Sequence, residues 1–179
     1  MAQADSTGSI TSVVIVDTDI LSMFAKADAL VWLGRLFGRD RLAATPAIRD
    51  EIAVPLQYGY TFPLQVLAET AIAPLSNRAW VEYEYLRESG ATVGRGELES
   101  IAFCKTENAV FVTNDLVARR FAIAQGVRAL SLQSILRGLW ESGVCNKSEV
   151  HAIFERIRQA DRLEVSLEVE NEIFDEDSV

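Results

Sequence analysis

Two uninterrupted apolar runs constrain this chain most: Val-Val-Ile-Val at 13–16 and Ala-Val-Phe-Val-Thr at 109–113. Unbroken runs rich in β-branched residues suit strands covered on both faces, as in a parallel sheet. Helical spacing follows each of them. It starts at Ile20 after the first run and at Leu116 after the second, the latter ending at Gly126. Shorter strands fit 42–44, 71–73 and 127–130, with helices between them at 31–37 (stopped by Gly38), 77–88 and 97–106. Two more helices fit 131–142 and 146–160, the second opened by a capping box of Asn146 and Glu149. Thr45 followed by Pro46 has the pattern of an N-cap and a first helical residue. Residues 54–61 read as a Pro/Gly/aromatic loop and 90–96 as a flexible loop with three glycines. Strands alternating with helices predict an α/β three-layer sandwich, a mainly parallel sheet of about five strands with helices on both faces.

With 179 residues, 49% of them apolar, the chain is long enough for one domain and its core. Residues 1–12 are small and polar, lack a signal-peptide layout and are expected to be disordered. No apolar run approaches the roughly 18 residues of a membrane span. Two cysteines, Cys104 and Cys145, are too few for a disulfide scaffold, and Cys104 sits in a helical apolar pattern. A reducing, cytoplasmic setting without membrane attachment is expected. The net charge of −9 is uneven: residues 161–179 carry −7 and everything before them −2. That segment reads as an acidic tail or a short helix around Leu167, Ile173 and Phe174, leaving 13–160 as the domain proper. An acidic total disfavours simple electrostatic binding of nucleic acid, yet a site made of carboxylates counts as negative until cations enter it.

In open α/β sheets, sites form beyond the carboxyl ends of the strands. Asp17 directly follows the first strand and Asp115 the fourth. Glu51 borders the buried stripe of the helix opened by Pro46, and Glu97 opens the helix after the glycine loop, where a carboxylate suits the helix dipole. Each has an ordinary alternative. Aspartates at strand-to-helix junctions are often only N-caps, and first-turn glutamates are common. Together, acids at one sheet edge repel one another and call for cations; oxygen-only donors suit Mg²⁺ or Mn²⁺. With one histidine, His151, a histidine-pair ribonuclease is excluded, and His-rich zinc sites and Ser-His-Asp triads are disfavoured. No phosphate-cradling GxxxxGK[ST] loop is present, and Gly94-Arg95-Gly96 reads as a hinge.

The segments 13–21, 45–52, 94–102 and 110–115 resemble, in order, the motifs of PIN-domain proteins, above all the VapC-like toxins of bacterial and archaeal toxin–antitoxin pairs. The likeness spans about residues 13–145. It implies a strand order of 3-2-1-4-5 and a Mg²⁺- or Mn²⁺-dependent ribonuclease held in check by a protein antitoxin, often as a homodimer. By that resemblance Asp17, Glu51, Glu97 and Asp115 match the cation-binding acids. Glu99 rivals Glu97, Asp19 and Asn114 orient ligands or water, and Thr18 and Thr113 supply supporting hydroxyls. Where relatives carry one more acid, this chain has Leu116, Val117 and Ala118, which leaves a second cation short of a ligand. For RNA contacts the sequence offers Arg35, Arg39, Arg41, Arg119 and Arg120, and the aromatics Tyr58, Tyr60 and Phe62, whose commoner use is packing onto the core. The late helix bearing Val150, Ile153, Phe154 and Ile157 is a candidate partner surface. Two other readings stand. Asp17-Thr18-Asp19 also looks like the opening of a haloacid-dehalogenase-type phosphatase, which would need a well-placed lysine from Lys26, Lys105 or Lys147. The other is a PIN-like fold kept as a non-catalytic interaction module.

Overall fold

The computed structural model describes residues 12–90 and 92–175. The segment expected to be disordered, apart from Ser12, lies outside the described residues, as do the last four residues of the acidic tail. Five short strands, β1 (Val14–Val16), β2 (Leu42–Ala44), β3 (Ala71–Ile72), β4 (Val110–Val112) and β5 (Arg128–Leu130), form one sheet in the order β3-β2-β1-β4-β5. Every neighbouring pair is parallel. Successive side chains on a strand point to opposite faces. Every residue of β1, β2 and β4 is buried, so both faces of the central sheet are covered. The edge strands β3 and β5 carry the exposure that an edge allows. The α/β architecture and strand order are those expected.

Ten α-helices flank the sheet among the described residues: α1 (Thr18–Lys26), α2 (Leu30–Phe37), α3 (Pro46–Ala53), α4 (Phe62–Glu69), α5 (Asn77–Glu88), α6 (Arg95–Glu107), α7 (Leu116–Ala124), α8 (Leu132–Glu141), α9 (Lys147–Asp161) and α10 (Leu167–Phe174). None is long and apolar enough to cross a membrane. Strand order reverses between β1 and β4, and the Asp17 N–H donates to the Val112 carbonyl at 2.9 Å, extending that pairing one residue past β1. The chain therefore leaves both central strands side by side, at the crevice where ligands enter such sheets.

Several elements depart from expectation. The loop expected at 54–61 is a 3-10 turn, Val54–Tyr58, closed by Gly59 in the left-handed region at φ 84°, and α4 follows where no helix was foreseen. Of the three aromatics there, only Phe62 packs on the core; Tyr58 and Tyr60 are 75% and 60% exposed, contrary to the packing expected of them. Val150, Ile153, Phe154 and Ile157 on α9 are buried in this chain's own core, so that stripe is not a surface for a partner. The acidic segment carries α10, which packs on α8 with Ile173 buried. The last carbonyls of α10 take donors from neighbouring helices: Arg137 to Glu172 at 3.0 Å, Trp140 Nε1 to Ile173 at 2.8 Å and Lys147 Nζ to Phe174 at 3.0 Å. Donors there satisfy a helix end that would otherwise lack partners, and two of them are cations, which favour its negative pole. His151 stacks on Phe174 with ring centroids 5.1 Å apart.

Candidate acidic site at the carboxyl edge of the sheet

Asp17 and Asp115 are the N-caps of α1 and α7, but capping does not exhaust them. Asp17 Oδ1 accepts from the Thr18 N–H at 2.8 Å, and Asp115 Oδ1 from the Ala118 N–H at 2.8 Å. The other Asp17 oxygen accepts from the Thr113 hydroxyl at 2.8 Å, and that hydroxyl oxygen in turn accepts the Asp115 N–H at 3.1 Å. On the opposite flank, the Thr18 hydroxyl donates to Glu51 Oε2 at 2.6 Å. One hydrogen-bonded chain thus runs Glu51, Thr18, Asp17, Thr113, Asp115, across α3, α1 and the ends of β1 and β4. Thr18 and Thr113, expected as supporting hydroxyls, are the joints of that chain.

Glu97 joins from α6. One of its oxygens accepts the Gly94 N–H and fixes the helix start. Burial raises its pKa, the Gly94 N–H opposes that, and the charges of Asp115, Glu51 and Asp19 raise it further. Asp17 is buried, and its pKa is pushed up to about 7, chiefly by desolvation; the Thr113 and Thr18 donors pull it down, and Glu97 and Asp19 push it up again. Asp19, more open, is raised by partial burial and then by Asp161 and Asp115, with Lys26 pulling the other way. Five carboxylates therefore repel one another at one edge of the sheet.

Glu99, the rival for the third acidic place, faces elsewhere. Its carboxylate is fully buried, accepts the Ala47 N–H at 2.9 Å and pairs with Arg95 Nε at 3.1 Å. It occupies the capping place at α3 that Thr45 leaves vacant, for the Thr45 hydroxyl is buried and makes no hydrogen bond. The two glutamates lie two positions apart on a helix and so diverge.

The glycines before Glu97 are not a hinge. A Cβ on Gly96, inside the first turn of α6, would stand 2.8 Å from Glu51 Oε1, and one on Gly94 would stand 2.9 Å from Glu97 Oε2. Each bare Cα lets a carboxylate lie against backbone, a close approach only glycine permits. Sequence reasoning missed this, because the partner of Gly96 comes from α3, 45 positions earlier in the chain.

The cationic side chains divide by topology. In a parallel sheet, residues just before a strand lie at its amino edge. Arg39 and Arg41 occupy the turn leading into β2, and Arg35 ends α2 with its guanidinium 4.5 Å from the Trp32 ring centroid, so all three belong to the edge opposite the acids. Arg119, by contrast, lines a cleft of about 420 Å³ with Asn114 and Leu116, beside Asp115. Asn114 thus faces this neighbouring cleft.

Among the described residues, no three His, Cys, Asp or Glu side chains are drawn together closely enough to hold an ion as they stand. Both oxygens of Asp17 and one oxygen each of Glu51, Glu97 and Asp115 are taken by hydroxyls or N–H groups. The donor set nonetheless fits a hard divalent cation: it is all carboxylate, and its mutual repulsion is what a cation would relieve.

A family model described as a PIN domain matches residues 13–177. No curated protein and no solved structure matches the chain.

Proposed function

The chain belongs to the PIN-domain family, whose members are generally nucleases, and from that premise we propose that it is a Mg²⁺- or Mn²⁺-dependent endoribonuclease. The observation that carries the reading is the hydrogen-bonded chain from Glu51 through Asp17 to Asp115 at the strand-order reversal. Asp17, Glu51, Glu97 and Asp115 are the residues that would hold the cation, with Asp19 beside them. When bound, the cation supplies Lewis acidity toward the phosphoryl oxygens and toward an attacking water. The protein supplies position. Thr18 and Thr113 fix both oxygens of Asp17, Thr18 aims Glu51, the Gly94 N–H holds Glu97, and Arg119 meets a phosphate of the strand. None of these acids serves as a nucleophile.

The resemblance to VapC-like toxins supports a toxin of a type II toxin–antitoxin pair in a cytoplasmic setting, with a protein antitoxin as partner and a homodimer as assembly. Exposed Trp80, Val81 and Tyr85 on α5 are in keeping with a covering partner. The phosphatase reading is not favoured: Lys105 pairs with Glu82, Lys147 serves α10, and Lys26 is held by Asp161.

The test is cleavage of labelled RNA by purified protein with Mn²⁺ or with a chelator, beside Asp115→Asn. Cleavage that needs Mn²⁺ and the aspartate is expected; metal-independent cleavage, or none by the parent freed of any partner, rejects the reading and, in the second case, favours the interaction module. Gly96→Ala is a finer probe. The Glu51 carboxylate is the far end of a flexible, exposed side chain, so it yields to the new methyl and leaves Thr18. Activity is expected to fall by about tenfold or more, while stability stays within about 1 kcal/mol because alanine favours the helix. Melting and rate measurements on one preparation check both.

A further inference from the structure

We propose that the cleft lined by Asn114, Arg119, Gln133 and Glu164 seats a guanine base, so that the nucleotide beside the cut is selected by its edges. This deepens the ribonuclease reading above and rests on it. The cleft holds about 420 Å³. Its lining is that of a ligand site, mostly apolar with a few polar groups set around it; Leu132, Leu163 and Val165 belong to the apolar part. Asn114, Arg119 and Gln133 are half-buried and Glu164 is exposed. Among the described residues, the side chains of these four make no hydrogen bond or ion pair. Arg119 and Glu164 therefore line one cleft with opposite charges and do not pair with each other.

Location ties the cleft to the acids. Asn114 and Leu116, the chain neighbours of Asp115, both line it, so whatever it holds lies next to the cut. Glu164 comes from the segment between α9 and α10, in the acidic part of the chain that the carboxylate site leaves without a role. Its presence narrows the occupant. A simple anion suits Arg119 but is repelled by Glu164. An apolar side chain of a protein would shut water out and leave half-buried polar groups unpaired, which costs free energy. A flat heterocycle with donors and acceptors on its rim satisfies both the apolar lining and the polar groups. An ionised carboxylate only accepts hydrogen bonds. Guanine offers it two parallel donors, N1–H and N2–H, with O6 beside them as acceptor for the Gln133 amide. Adenine and cytosine offer one amino group each, and the N3–H of uracil stands between two carbonyls that a carboxylate repels. Arg119 is left for the phosphate, as above. That edge of a base is open to protein only where the base is unpaired.

The experiment uses labelled oligouridine strands that carry one central guanosine, inosine, adenosine or cytidine, or none. Cleavage is followed with Mn²⁺, and binding is read by anisotropy with Ca²⁺ in its place. The proteins are the parent, Glu164→Ala and, matched in charge, Glu168→Ala, an exposed residue of α10 outside the cleft. The parent is expected to favour the guanosine strand over the adenosine, cytidine and plain uridine strands by about 5- to 150-fold in kcat/KM, the span of one bidentate base contact. Inosine lacks the N2 amine and should fall between. Glu164→Ala should lose the preference together with the gap between guanosine and inosine, as expected when both changes remove one contact. Glu168→Ala should keep both. Glu164 is exposed, so the variant should fold, and melting curves check that it does. Equal handling of the five strands by the parent overturns the proposal. So does a preference for another base, or a guanosine preference that survives Glu164→Ala; cleavage in any of these cases leaves the nuclease reading standing. Guanosine-selective binding that Glu164→Ala abolishes, with no strand cut by the parent, rejects the nuclease reading and keeps the seat.

Discussion

Asp17→Asn is expected to lose cleavage activity by about 10³-fold while melting above the parent near neutral pH; each tenfold in rate is about 1.4 kcal/mol, and removing a cation ligand forfeits several. The two effects share one cause. Folding buries the Asp17 carboxyl and raises its pKa from 3.8 to about 7. Between those values the folded state holds a proton that the unfolded state has released, so stability falls as pH rises across the window and is lowest above it. Asn carries no charge and avoids that cost, a gain on the order of 1–3 kcal/mol near neutrality that vanishes below about pH 4. Glu97 and Asp19 are raised in the same direction, chiefly by burial, and add to the slope. Activity has the opposite dependence. A cation needs the ionised carboxylate, so protons compete with it, and cleavage by the parent at limiting Mn²⁺ should fall as pH drops below neutrality, with excess Mn²⁺ moving that fall to lower pH. Thermal melts at several pH values, beside rates on the same samples, check both arms. An Asp17→Asn protein less stable than the parent at neutral pH contradicts the burial argument; one as active as the parent contradicts the site.

Glu99→Ala is expected to cost about 2–4 kcal/mol, although the residue touches none of the proposed chemistry. The loss leaves the Ala47 N–H buried without an acceptor, worth about 1–3 kcal/mol, and opens a cavity at a fully buried position. Arg95 adds little, because its side chain is 60% exposed and turns to water. Glu99 also locks α6 onto α3, and these helices carry Glu97 and Glu51, so activity should fall along with stability. Glu99→Gln keeps one acceptor for Ala47 and should lose less on both counts. Urea denaturation of the three proteins is the measurement; Glu99→Ala within about 0.5 kcal/mol of the parent would mean that the capping bond is dispensable.

How much of this was legible in the amino-acid order follows from the range of each interaction. Asp17 and Asp115 stand directly after apolar runs, and a strand followed by an acid is a local pattern; so are Thr18 and Thr113, their immediate neighbours in the hydrogen-bonded chain. The division of labour between Glu97 and Glu99 was hidden, since both sit in the first turns of one helix and the difference lies in Ala47, 52 residues away. Gly96 was misread for the same reason. Helix α4 escaped notice because Pro55, Gly59 and Pro63 crowd its approach and give the look of a loop. The apolar stripe of α9 announced a buried face without saying against what, and the answer is the core of this chain rather than a partner. Arg39 and Arg41 were a different failure: a position just before a parallel strand already assigns them to the amino edge, away from the acids.

Calorimetric titration of the metal-free protein with Mn²⁺, in two buffers of different ionisation enthalpy at about pH 7, tests the central claim most directly. The expected result is saturable binding that releases protons, as Asp17 gives up the one its burial retains, and that is abolished in Asp17→Asn. No binding by the parent, or equal binding with equal proton release in the variant, would contradict the account.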